Sequence, residues 1–547
     1  MTTTPDPVGP LRDVLGATIV AEHRASASEV VPLIRQDRQC GAAACAKRAV
    51  VAVEDCRGRR YLCAEHRRPV CAGTIVDPAS ALVARAARPD FDRWLSRALV
   101  ARGCARPVRL RPSMLRANPA TGELPPAPAG DAAGPDGIIY KACGDRRASV
   151  CPTCAETYRA DTWQLVAAGL RGGKGVPDTV TAHPALFVTL TAPSFGVVHT
   201  RRTTGTGRGL PCRPRRRPSL CPHGADLRCD RIHTDDEACL GLPHCLDCYD
   251  HAGQVVWNAH AGELWRRTVI GLRRILTRAA RQHGIQVRLS YAKVAEFQRR
   301  GIVHLHALLR LDGLDLADPE RITTPPSCLD AAFLADAVRR AVADTSFTTA
   351  QHRCRPEGWR VTWGDQLDIR HVQLRERGEI TDTAVAAYLA KYATKSTETT
   401  GHVSQRLTGA TVKLYADPGT HAGRLVAACW TLGADSDHAG LRRWAHMLGF
   451  GGHFSTKSRR YSTTLRALRA ARQAWRRRRE VVDARDHSDE DTTLVVGFWG
   501  FAGIGWRTTA DALLAGTAAA LARERRRTAR DEIRMSTGRG EACAAIS

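Results

Sequence analysis

His304 and His306 stand two residues apart in an otherwise apolar stretch, Ile302 to Arg310. In a strand, alternate side chains share a face, so the two imidazoles project together while Val303, Leu305, Ala307 and Leu309 face the other way. Paired imidazoles on an apolar ribbon need either a divalent metal or the core's own carbonyls as partners. The residues upstream favour the metal. Val287 to Phe297 reads as a strand and Gln298 to Gly301 as a turn, and a hairpin centred on Arg300 sets Glu296 directly across from His304. His304, His306 and Glu296 are therefore candidate ligands converging on one face.

A second reactive stretch is Thr383 to Lys395, rich in helix formers, with Thr381 or Asp382 as its cap. Tyr388 and Tyr392 are four apart and stack on one face, Lys395 continues that stripe, and Lys391 flanks it. A metal on the histidines could bind the non-bridging oxygens of a phosphodiester while a tyrosine oxygen attacks phosphorus in line. The leaving group would be a deoxyribose 3′ hydroxyl, and the chain would keep the 5′ phosphate as phosphotyrosine. Free phenol ionises near pH ~10, so the attacking oxygen needs help in losing its proton, and the two lysines supply positive charge there. Phosphotyrosine stores the energy of the broken bond, so rejoining needs no nucleotide. The sequence agrees: Gly172 to Gly175 lacks the spacing and the Ser or Thr of a Walker A loop.

The elements that must position these groups follow from periodicity. Asp161 to Leu170 is predicted helical, Ala185 to Thr191 a strand, Val255 to Arg281 a long amphipathic helix and Leu329 to Val342 another, with a further strand within Trp359 to Val372. Ser458 to Arg479 is predicted as a helix with Leu465, Leu468 and Trp475 on its apolar side and nine arginines elsewhere. That many cations with no acid exceeds what solubility needs and points to DNA backbone contact. A final basic helix is expected over Asp511 to Arg530.

Cysteine spacing marks three further groups. Cys40, Cys45, Cys63 and His66 suit a small zinc knuckle, with Cys56 and Cys71 as alternative ligands. Cys151 and Cys154 form a CxxC, to which Cys104 or Cys143 could supply the other half. The third group offers six candidates, Cys221, His223, Cys229, His233, Cys245 and Cys248; Cys221, Cys229, Cys245 and Cys248 are the expected ligands and His233 the substitute, in a closed site that folds an insertion too small to hold itself together. Just before it, Arg215, Arg216 and Arg217 sit in a basic, Gly-containing loop.

The 547 residues carry 81 Lys and Arg against 55 Asp and Glu, a net charge of +26 that favours polyanions. Met1 to Gly16 shows no secretory pattern, and Leu494 to Trp506 is too short and Gly-rich to span a bilayer. The expected location is a reducing cytoplasm, where the 19 Cys read as metal ligands sooner than as disulfides. The expected organisation is a leader (1–30), an N-terminal Cys-rich region (31–118), a Pro/Ala/Gly-rich linker (119–134), a catalytic domain (135–400) with its zinc insertion at about 200–250, a basic helical region (401–482) and a C-terminal region (483–547).

Phe187 to Thr191, His304-Leu305-His306, and Tyr388-xx-Lys391-Tyr392-xx-Lys395, in that order, resemble the three signature motifs of the HUH endonucleases that initiate rolling-circle replication. The wider chain, over roughly residues 140 to 510, resembles the replication initiators of actinomycete plasmids and integrative elements. Cys143 to Cys154, Cys221 to Gly224, Glu296 to Gly301 and Gly452 to Tyr461 also carry this likeness. It implies an α+β fold: an antiparallel HUH sheet with the two His on a central strand, helices on the sheet, and the zinc insertion and accessory zinc and helical regions attached. It also implies bound Mg²⁺ or Mn²⁺, nicking of single-stranded DNA at an origin, and a host helicase, polymerase and single-strand-binding protein as partners, with no membrane. In single-tyrosine relatives the nucleophile aligns with Tyr392 and a glutamate may replace Tyr388, so this chain resembles the two-tyrosine members. It departs from many relatives in having Val303, not a proline-containing run, before the first His. The expected DNA contacts are Arg215, Arg216, Arg217, Lys457, Arg459, Arg460, Arg476, Arg477 and Arg478. The competing readings are an HUH relaxase or transposase, and a non-catalytic zinc-bearing DNA-binding regulator, which would leave the Glu, His and Tyr constellation idle.

Overall fold

The computed structural model describes residues 78–116, 136–372, 385–386, 389–390, 406–484 and 495–544, together with short strands at 31–32, 51–55, 58–62 and 126–127. The chain divides into two compact units, Gly144–Asp489 and a unit made of Met1–Cys143 with Glu490–Ser547.

The Gly144–Asp489 unit is built on an antiparallel sheet. Its strands are β1 (Ala185–Leu190), β2 (Val287–Phe297), β3 (Val303–Leu314), β4 (Leu367–His371) and β5 (Ser455–Lys457), in the spatial order β4-β1-β3-β2-β5, with Ile322–Thr323 paired to the end of β3. Strand alternation sorts this sheet into two faces. Leu289, Ala295, Val303, Leu305, Ala307, Leu309 and Leu311 pack against a long helix, α2 (His251–Gln282), and are joined there by Leu186, Val188 and Leu190. The opposite face carries Ala185, Phe187, Ala292, Val294 and Leu308, covered by Val166, Ala167 and Leu170 of a second helix, α1 (Pro152–Arg171). Both faces of β3 are covered, which is why its sequence is nearly continuously apolar.

The longer helices of this unit among the described residues are α1 (Pro152–Arg171), α2 (His251–Gln282), α3 (Ala331–Ala343), α4 (His421–Leu432) and α5 (Leu465–Ala484). α2 starts where the Asp250 side chain accepts the Gly253 N–H at 2.7 Å. It then buries Leu264, Trp265, Val269, Leu272 and Leu276 on one stripe, each large aliphatic side chain contributing about 1.5–3 kcal/mol.

Beyond Leu308 the same face of β3 turns polar. Arg310 and Asp312 are fully buried, and the Asp312 carboxylate accepts from Arg310 Nε at 2.6 Å, from Ser290 Oγ at 2.6 Å and lies 2.8 Å from His183 Nδ1. Arg310 also donates to the carbonyl of Gly169, tying β3 to α1. Tyr461 lies over Gly169 so closely that any Cβ there would enter its ring, and its hydroxyl donates to Val166 O at 2.9 Å.

That burial changes one expected element. The basic helix begins at Leu465, not at Ser458, because Ser455–Lys457 is the edge strand β5 and Tyr461 is drawn into the core. Thr464 then caps the helix by accepting the Ala467 N–H at 3.1 Å. Trp475, expected on the apolar side, is exposed. The strand expected in Trp359 to Val372 is two: Arg360–Thr362, paired with Ser346–Thr348, and β4.

In the other unit Val108–Arg116 pairs with Val495–Ile504, Ile139–Lys141 and Pro126–Ala127, all antiparallel. Helices Pro78–Ala86, Phe91–Leu99 and Thr509–Ala544 accompany it, with a core of Phe91, Trp94, Leu95, Leu514 and Ala515. The Gly-rich run at Leu494 is therefore largely a strand. Among the described residues no helix is long and apolar enough to cross a membrane.

Candidate active site

The β2–β3 hairpin sets the register that matters. Glu296 lies opposite His304 and Val294 opposite His306. The turn closes through Gln298 N–H to Ile302 O at 2.9 Å and Gly301 N–H to Gln298 O at 2.8 Å. Gly301 sits at φ +74°, and a Cβ there would stand 2.6 Å from Leu448 Cδ1, so the position needs glycine on both counts.

Helix α2 holds this turn through two buried amides. Gln254 Nε2 donates to Arg300 O at 2.8 Å, while Asn258 donates to Gly301 O at 2.9 Å and accepts the Val303 N–H at 3.0 Å. His421 of α4 adds a bond to Arg300 O at 3.0 Å. The strand that follows starts from a fixed point, and the histidines inherit that rigidity.

The His304 and His306 rings are 4.7 Å apart between centroids. Thr189 Oγ1 lies 3.2 Å from His306 Nδ1 and Phe187 stacks on the ring, leaving Nε2 to face Glu296 Oε2 at 3.3 Å. The side-chain amide of Gln298 lies 3.2 Å from His304 Nδ1, while His304 Nε2 is buried with no hydrogen-bond partner. Burial, reinforced by His306 and Arg300 and opposed by Glu296, pushes the His304 imidazolium down to about 4, so the ring is neutral at physiological pH. An orphaned imidazole nitrogen beside a second imidazole and a carboxylate is a donor set that fits a divalent cation.

Of the tyrosine stretch, Val385, Ala386, Leu389 and Ala390 are described: all four are helical and buried. Val385, Ala386 and Leu389 pack with Phe187, Ala292, Val294 and Leu308, which belong to the sheet face that bears His304 and His306. Tyr388, Lys391, Tyr392 and Lys395 lie outside the described residues.

The third cysteine group divides in a way the CxxC spacing did not indicate. Cys221, His223, Cys245 and Cys248 form one set of four ligand atoms within 4.8 Å of one another, and His199, Cys212, Cys229 and His233 form another. Either could hold a metal such as zinc. Cys229 and His233 therefore do not join Cys221, Cys245 and Cys248, as expected, but meet His199 and Cys212, which sequence spacing missed. Glu237 and Cys239 gather around His233 as well.

Of the second group, Cys151 stands at the N-cap position of α1 and Cys154 lies in its first turn, both buried. Cys104 accepts the Cys143 N–H on its sulfur at 3.3 Å. Cys40, Cys45, Cys63 and His66 lie outside the described residues.

Arg215, Arg216 and Arg217 are exposed, as are Arg459 and Arg478. Arg460 is half-buried and pairs with Glu320. Lys457 is engaged by its own loop, with Nζ donating to Ser462 O at 2.7 Å and Ser458 O at 3.3 Å. The side chains of Arg476 and Arg477 lie outside the described set. A polar cleft of about 650 Å³ opens beside the hairpin turn, lined by Thr191, His199, Arg213, Gln298, Arg299 and Gln366 among others.

Residues 90–520 match the family described as "Replication initiator protein, pSAM2" (RepSA). Among curated proteins, the chain is similar to a replication initiator protein of Streptomyces ambofaciens, with 41% identity over 472 residues covering 84% of this chain and 97% of the relative. No solved structure matches.

Proposed function

Since the chain belongs to the pSAM2-type replication initiator family, we propose that it starts rolling-circle replication by cutting one DNA strand at its origin, acting as a two-tyrosine HUH nickase and strand transferase. One observation carries this reading: two imidazoles and a carboxylate share the sheet face against which Val385, Ala386 and Leu389, the residues around Tyr388, are packed.

In the proposed reaction the Tyr392 oxygen attacks the scissile phosphorus. The new bond is a 5′-phosphotyrosine, the bond that breaks is P–O3′, and the departing oxygen takes a proton to become the 3′ hydroxyl that primes synthesis. The phenol gives up its proton as it attacks, and Lys391 and Lys395 stabilise the charge that develops. Tyr388 makes the second attack, so that strand transfer can end the round by rejoining DNA without a nucleotide. His304, His306 and Glu296 would hold Mg²⁺ or Mn²⁺, which supplies polarisation of the phosphate. Thr189 and Gln298 orient the two rings. The chemistry acts on single-stranded DNA, and a host helicase, polymerase and single-strand-binding protein would extend and clear the strand.

The test is to incubate the full-length chain with Mn²⁺ and single-stranded oligonucleotides tiling the origin of its own replicon. The proposal expects a protein band shifted by covalent 5′ DNA on a denaturing gel. No adduct from any oligonucleotide, with sequence-specific binding retained, would leave a non-catalytic DNA-binding regulator as the better reading.

A further inference from the structure

The segment from Val197 to Cys248 folds with almost no apolar core. Every residue in it is described, and the buried ones are Cys212, Cys221, Cys229, His233, Leu240 and Cys245. One leucine cannot hold such a segment together, and its regular structure is confined to a two-residue strand pair, Arg202–Thr203 with Gly209–Leu210, and isolated bridges such as Arg213 with Cys229 and Leu220 with Asp226. A segment that buries thiols and imidazole in place of aliphatic side chains is organised around something that binds them.

The two ligand sets have distinct local architecture. In the first, a tight turn returns the chain at Cys221, with Cys221 N–H donating to Ala225 O and Gly224 N–H to Cys221 O, both at 2.9 Å. His223 Nδ1 then lies 3.2 Å from Cys248 Sγ and 3.8 Å from Cys245 Sγ. In the second, Cys229 Sγ lies 3.4 Å from His233 Nε2. His199 Nδ1 is buried with no hydrogen-bond partner. The far nitrogen of His233 is 2.8 Å from Glu237 Oε2, the arrangement in which a carboxylate fixes the ring of a metal-ligating histidine. Neighbouring ligand atoms around tetrahedral zinc are separated by ~3.3–3.8 Å, as follows from bond lengths of ~2.0–2.3 Å. The His223–Cys248, His223–Cys245 and Cys229–His233 distances fall in or near that range, and the four ligand atoms of each set lie within 4.8 Å of one another.

We propose that this insertion is a two-zinc module, with one closed centre on Cys221, His223, Cys245 and Cys248 and a second on His199, Cys212, Cys229 and His233. The second centre also has a structural route to the hairpin turn. Glu237, which fixes His233, accepts Arg299 Nη1 on its own carbonyl at 2.9 Å. Gly241 packs on the Arg299–Arg300 backbone, with room for no Cβ. Arg299 adjoins Gln298, whose amide faces His304. The zinc centre thereby braces the turn from which the His pair departs. This bracing role rests on the catalytic reading of His304, whereas the zinc count does not.

The experiment measures zinc per chain by atomic emission for the full-length protein and for paired variants. His199→Ala with Cys212→Ser is expected to lose one zinc relative to the parent, Cys245→Ser with Cys248→Ser one, and the four combined two. A combined loss of one, or no loss from the first pair, overturns the proposal. Because deletion of a ligand can unfold the insertion, ligand swaps provide the second reading. Cys212→His and Cys221→His should each keep the parent's metal content after Co²⁺ reconstitution while lowering the thiolate-to-cobalt charge-transfer band by one thiolate's share. An unchanged band in either variant shows that the swapped cysteine is not a ligand and refutes that centre. Neither reading depends on DNA cleavage, so a failed nicking assay and a failed zinc assignment remain distinguishable.

Discussion

Glu296 pairs with His304 across the β2–β3 ladder, yet its Oε2 lies 3.3 Å from Nε2 of His306. One carboxylate therefore reaches along the face to the second imidazole while standing opposite the first. Whether it touches the cation or only fixes the His306 ring, Glu296→Gln should raise the Mn²⁺ concentration for half-maximal nicking by roughly 10–100-fold. His304→Ala combined with His306→Ala should remove metal-dependent cleavage altogether. Gel shifts with duplex origin DNA should be unchanged for both, because neither variant removes a group that binds phosphate directly.

The two tyrosines should separate by step. Tyr392→Phe should abolish the covalent adduct, whereas Tyr388→Phe should nick normally and fail in strand transfer. Denaturing gels with a labelled donor and a second acceptor oligonucleotide read the two steps independently. Equal loss in both variants would refute the division of labour.

The hairpin was legible in the sequence because a strand, a short turn and a second strand fix register by counting alone, and the Gln298–Gly301 turn brings Glu296 opposite His304. The ligand partition was not legible. CxxC spacing draws Cys245 and Cys248 to the nearest cysteines in the chain, but the bridge between Arg213 and Cys229 carries Cys229 to Cys212 instead, a tertiary pairing with no local signal. Nor does periodicity reveal that Val495–Ile504 pairs with Val108–Arg116, since strand patterning names a face and not a partner. The start of the basic helix is hidden for a similar reason: arginine periodicity continues through Tyr461, and only the close packing of that ring on Gly169 shows why the chain is not helical there.

Asp312 anchors the polar end of β3. Burial alone would raise its pKa, but hydrogen bonds from His183 and Arg310, the Arg310 charge and Ser290 outweigh it and hold the carboxyl below its usual range. A depressed folded pKa gives stability that is complete above the unfolded value of about 3.9 and is lost as pH falls toward the folded one. Asp312→Asn should therefore cost roughly 3–5 kcal/mol at pH 7. In urea melts the gap between parent and variant should narrow as pH falls from about 5 to 3. A gap that widens on acidification would contradict the assignment.

Arg215, Arg216 and Arg217 project into solvent from the Cys/His-rich segment Val197 to Cys248. If they bind phosphates of the single strand, replacing them with alanine should weaken binding regardless of sequence and flatten the salt dependence. The slope of log K against log salt should fall by about 0.7 for each phosphate that is no longer neutralised. Fluorescence anisotropy with labelled origin oligonucleotides over a range of salt concentrations measures this directly.

If a tyrosine beside the His face becomes covalently joined to DNA, mass spectrometry of the trapped adduct will locate it. After nuclease trimming and proteolysis, a nucleotide remnant should be found linked through its 5′ phosphate to Tyr392 in the parent protein. Cleavage that leaves only free 5′ phosphate, or a remnant on a residue other than Tyr392 or Tyr388, would refute the proposed chemistry.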